Sequence, residues 1–196
     1  NSELLFDQKT TEIEKRLLEE VKDDEVMSFI LLNKHPLFHY ISADKNIHIL
    51  CLGSGIFVRR MILSMLSVGQ MCSPNSARRP KLFIHVVSKD ATNSQKELLS
   101  DLPMLKDYVT VNQKKAAIEE YAIMTFEDSK DLFKKSICKE VAQKYGSHCS
   151  YIVLSLGADQ NNAKLAKAFA DEIEAVSSEK VIINYHLNQK SLQELS

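Results

Sequence analysis

The chain has 196 residues, with 25 Lys and Arg against 26 Asp and Glu, a formal net charge of −1. That balance lacks the basic excess of a phosphate-backbone binder and argues against nucleic acid as a partner. Hydrophobic residues at 44% and charged residues at 26% exclude a wholly disordered or collagen-like chain. No uncharged apolar run reaches the roughly 18 residues a membrane span needs. Cys51, Cys72, Cys138 and Cys149 form no CxxC pair, which fits a reduced, cytoplasmic compartment better than a disulfide framework or a zinc site. The start shows neither Met nor a signal pattern, so the chain is expected to be a segment of a longer protein.

In chain order, residues 3–34 read as helical, with Ile13, Leu17, Leu18 and Val21 on one stripe. The break falls at His35-Pro36, because the residue before a proline leaves the helical region. Residues 1–45 are thus a helical arm leading into the domain at 46–196. Ile47–Leu52 is a strand, apolar except for His48. A helix at about 56–68 follows, with Val58, Met61, Ile62, Met65 and Leu66 on one face, and 70–80 is a polar loop. Leu82–Val87 is a second strand, a helix begins near Asn93, and Tyr108–Val111 is a third strand. Residues 112–149 form an insertion read as largely helical, its stripe Leu132, Phe133, Ile137 and Val141 facing the sheet or a partner. Tyr151–Leu156 and Val181–Tyr185 are the last strands, separated by a helix at 160–176. Apolar strands alternating with helices predict an α/β chain: a doubly wound, mainly parallel five-stranded sheet in the order 3-2-1-4-5.

Only five glycines occur, so their places inform. The first strand runs into Gly53-Ser54-Gly55, and a helix begins at once with Ile56, Phe57 and Val58. A strand, a Gly-x-Gly turn and a helix N-terminus in that order suit a pyrophosphate. Gly53 permits the tight turn, and Gly55 lets the phosphates near the backbone. The helix end offers N–H groups and partial positive charge. Val58 stands at the usual third glycine, a position that governs helix–strand packing more than ligand contact. The second strand ends Ser88-Lys89-Asp90, where a dinucleotide site wants an acid for the ribose. Ser88 and Lys89 suit a 2′-phosphate and Asp90 a free ribose; alternatively, Asp90 simply caps the next helix. The fourth strand ends in Gly157, Asp159 and Asn162, with Asp159 at a helix N-cap.

These segments together resemble the nucleotide-binding half of regulator-of-potassium-conductance (RCK) domains, the TrkA-N type of Rossmann fold, over roughly 46–187. The resemblance rests on the first-strand Gly53/Gly55 turn and the fourth-strand Gly157-x-Asp159-x-x-Asn162 turn. The chain departs from the pattern at Val58, at the unclear second-strand acid and in the enlarged 112–149 region. The resemblance implies NAD(H), NADP(H) or a related adenine nucleotide as a regulatory ligand, and self-association into a homodimer or larger assembly. It does not imply catalysis.

No GxSxG elbow, HExxH or Walker loop occurs. His48 and His85 lie inside strands and read as core or sheet-face residues. Arg59 and Arg60 follow the glycine turn and belong either to a solvated helix face or to a phosphate clamp; Arg78 and Arg79 read as surface. Two other classes stay open: a methyltransferase using S-adenosylmethionine, and a degenerate scaffold used for dimerisation.

Overall fold

A computed structural model of the chain describes Ser28 and residues 31–37, 45–69, 80–156, 159–177 and 181–185. Most of the arm at 1–45, the 70–79 loop with Arg78 and Arg79, and Gly157 lie outside the described residues.

Six strands form one sheet: β1 Ile47–Leu52, β2 Leu82–Ser88, β3 Val109–Val111, β4 Ala122–Asp128, β5 Tyr151–Leu154 and β6 Ile182–Tyr185. Their order is β3-β4-β2-β1-β5-β6, and every pairing is parallel. Around it lie the helices α1 Ile56–Val68, α2 Ala91–Asp101, α3 Leu105–Tyr108, α4 Lys135–Tyr145 and α5 Asp159–Glu174. This is the doubly wound α/β architecture that the alternation predicts.

One element departs from expectation. Residues 122–128, within the region read as helical, form β4, which inserts between β2 and β3 and makes the sheet six-stranded. Its alternation explains why. Ala122, Met124 and Phe126 are buried on one face, while Ile123, Thr125 and Glu127 lie half-buried on the other. That period of two belongs to a strand. A parallel pair commonly needs a crossover of about a dozen residues, usually helical. The link from β3 to β4 manages without one. Asn112 and Gln113 adopt φ of 44° and 68°, reversing the chain so that Val111 and Lys114 exchange backbone bonds at 3.0 and 2.9 Å. The return path is pinned to α3 by bonds from the Ala117 and Ile118 amides to the Lys106 and Asp107 carbonyls.

The core has two layers. On one face Ile49, Cys51, Ile84 and Val86 meet Val58, Met61 and Met65 of α1, together with Leu32 and Leu37 from the lead-in. Leu31–Lys34 is helical and stops at His35, before Pro36. On the other face Leu50, Leu52, Ile152 and Leu154 meet Val141 and Ala142 of α4 and Leu165 and Phe169 of α5. Within the insertion, Leu132 and Val141 are buried and Ile137 packs against this second cluster, whereas Phe133 is half exposed to solvent.

Candidate functional site

β1 lies between β2 and β5, which leave it in opposite directions along the sheet. This is the switch point at which an open α/β sheet leaves a crevice beyond its strand ends. Leu52 stands in register with Val87 on one side and Leu154 on the other. The loops after β2, β1 and β5 therefore leave the sheet at one level.

The two glycines of the central loop serve different ends. Gly53 has φ of +121°, and a Cβ there would lie 2.0 Å from the Ser155 carbonyl oxygen. Its amide donates to the Val87 carbonyl at 3.0 Å, and the Ser155 amide donates to Leu52 at 2.9 Å. Gly53 thus allows the β1 and β5 exits to run against each other. Gly55 is in ordinary extended backbone, φ −71° and ψ 179°, at the N-cap of α1. A Cβ there would meet nothing within 4 Å, so this glycine leaves room rather than relieving strain. As a glycine it offers no capping side chain, and the first turn of α1 contains no acid. Partial positive charge at this helix end is therefore not offset from within the turn.

The neighbours divide cleanly. Ile56 is 60% exposed at the mouth of the loop, while Phe57 and Val58 are buried in the core. Val58 indeed packs between helix and sheet. Ser54 is half exposed, and its carbonyl accepts the Ser94 hydroxyl of α2 at 3.4 Å. Arg59 is held away from the loop by α2: its guanidinium lies 2.8 Å from Glu97 and 3.8 Å from Asp101. Arg60 is exposed.

At the end of β2, Ser88 is buried, its hydroxyl taking the Asp90 amide at 3.2 Å. Lys89 and Asp90 are exposed. Asp90 occupies the N-cap position of α2 but makes no capping bond with its side chain. That work falls to Asp128, beside Ser88 at the end of β4. Asp128 accepts the Thr92 amide at 2.9 Å and the Thr92 hydroxyl at 2.5 Å. Those Thr92 bonds hold its carboxyl below the usual range, the hydroxyl contributing most. Sequence reasoning missed Asp128, and the readable signal was an acid closing the 122–128 alternation.

On the β5 side, α5 begins at Asp159, whose side chain lies outside the described ones. Asn162 is fully buried, and its amide oxygen accepts the Leu156 N–H at 2.8 Å. It clasps the strand-to-helix turn from within.

Among the described residues the thiols are not poised as nucleophiles. Cys51, Cys138 and Cys149 are buried, and burial pushes Cys138 up to about 11 and Cys149 up to about 12. Among the described residues no three His, Cys, Asp or Glu side chains gather to hold a metal ion, and no helix is long and apolar enough to cross a membrane.

Comparison with protein-family models, with curated proteins and with solved structures finds no match to the chain.

Proposed function

We propose that the chain is a nucleotide-sensing regulatory module of a larger cytosolic protein. It binds NAD(H), NADP(H) or a related adenine nucleotide, with its phosphates on the Gly53–Gly55 turn and the N-terminus of α1. The observation that carries this reading is the open space at Gly55. A helix end with no capping side chain and no acid in its first turn stands beside the switch point of a parallel sheet, and a pyrophosphate is the group such a place accepts. Lys89 and Asp90, exposed at the end of β2, would meet the ribose end. The turn from Leu156 to Asn162 would form the opposite wall. The likeness of these turns to RCK domains supports a regulatory role and self-association; the exposed Phe133 beside α4 is a candidate contact between copies.

The test is calorimetric titration with NAD, NADH, NADP, NADPH, ATP, AMP and S-adenosylmethionine. Heat with a dinucleotide or adenine nucleotide supports the reading. Binding of the sulfonium alone would make the chain a transferase, and no heat with any of them would leave a bare scaffold.

A further inference from the structure

On the face of the sheet that α4 covers, three imidazoles lie in a row. His48 of β1 stands beside Phe83 of β2, their rings stacked at 4.4 Å between centroids. His85 of β2 lies 6.0 Å from His48, and His148, in the turn after α4, lies 5.9 Å from it. Tyr145, in the last turn of α4, packs on His85 at 4.7 Å. A ring nitrogen of His85, Nδ1, is bonded to the Thr125 hydroxyl at 2.8 Å. The Tyr145 hydroxyl donates to Glu127 Oε2 at 2.6 Å, and Lys144 Nζ donates to the same oxygen at 2.5 Å. The end of α4 and the 146–150 turn therefore rest on the sheet through these imidazole rings as well as through buried Val141, Ala142 and Cys149. The turn is closed by bonds from the Cys149 amide to the Tyr145 carbonyl and from the Ser150 amide to the His48 carbonyl, both 3.0 Å.

The ring-to-ring part of this contact is weakened as its imidazoles become charged. Two imidazolium charges about 6 Å apart repel appreciably in a half-buried setting. Lys144 adds a third positive charge, and the facing carboxylate, Glu127, is already shared by Lys144 and Tyr145. We propose that His48, His85 and His148 form an acid-release latch, which holds the end of α4 and the 146–150 turn on the sheet while neutral and frees them when a second proton enters the cluster. This goes beyond the nucleotide reading and does not depend on it.

The titration behaviour agrees with this geometry. Burial first, then the neighbouring His48, lowers His85 from 6.5 to about 4. Burial, then His148, lowers His48. The closed state thus favours neutral His48 and His85, which take up protons more readily once the turn opens. Closure is complete above the ordinary imidazole value and is lost as pH falls through it toward about 4.

The experiment follows imidazole titration by NMR together with amide protection factors, which correct for intrinsic exchange. On going from about pH 7 to about pH 4.5, protection at Cys149 and Ser150 is expected to fall about tenfold more than at Ile49–Leu52. In His148→Gln, at an exposed position, the midpoint of His48 should rise and the differential fall should shrink. In His85→Phe, which keeps a ring against Tyr145, the fall should largely vanish. An equal loss at Ile49–Leu52 would mean global acid unfolding and would overturn the latch. An unchanged His48 midpoint and an unchanged fall in His148→Gln would overturn it as well, even if His85→Phe does not fold.

Discussion

The Gly53 α-carbon faces the Ser155 carbonyl so closely that a Cβ would stand 2.0 Å from the oxygen. Two neighbouring strands thus leave the sheet in backbone contact at the proposed crevice. Gly53→Ala is therefore expected to be severe. The positive φ and the backbone clash together should cost about 3 kcal/mol or more in chemical denaturation. A loss of less than about 1 kcal/mol would contradict the geometry.

Gly55 should behave in the opposite way. Its backbone suits any residue, and aspartate is a good N-cap, so Gly55→Asp should keep stability or raise it by about 0.5 kcal/mol. The same carboxylate would occupy the phosphate place. Thermal melting and titration of this one variant should therefore diverge, with stability retained and nucleotide binding lost.

The β4 assignment is open to an alternating scan. Met124→Ala should cost about 2–5 kcal/mol, since Met124 is buried. Ile123→Ala, at a half-buried neighbour, should cost well under half as much. Equal costs at the two positions would speak against a strand with one buried face.

Asp128→Ala removes the cap on α2 and should cost about 1 kcal/mol at neutral pH. The Thr92 bonds hold the Asp128 carboxyl below its ordinary value of 3.8. Its contribution is therefore present above that value and lost as pH falls through the lower folded value. Denaturation curves of variant and parent should separate at pH 7 and converge in acid. A separation independent of pH would mean that the carboxylate is not the group at work.

At the ribose end, Lys89→Glu should abolish any preference for 2′-phosphorylated nucleotides. Arg59→Ala should leave it unchanged, because Arg59 is paired with Glu97 on α2. An effect at Arg59 without one at Lys89, read by competitive titration, would reverse the assignment.

Much of this architecture was legible in local patterns. The apolar run Ile47–Leu52, the glycine turn and the stripe through Met61 and Met65 named β1 and α1, and with them the centre of the sheet. The 122–128 strand was hidden by its setting. Glu119, Glu120, Glu127 and Asp128 surround a short alternation, and the preceding turn uses Asn112 and Gln113 at positive φ where a glycine would have announced it. The reasons for Gly53 and Asp128 are nonlocal. One answers a carbonyl on β5, and the other caps a helix from a strand 36 residues away in sequence. The neighbourhood marks Gly53 as a turn glycine and Asp128 as an acid closing a strand, but names neither partner.

The most direct measurement is calorimetric titration of the parent chain and of Gly55→Asp with the same nucleotide panel. Saturable heat with an NAD(P)(H) form or a related adenine nucleotide is expected for the parent, and none for the variant at unchanged melting temperature. Equal binding by both proteins, or silence from the parent toward every member of the panel, would contradict it.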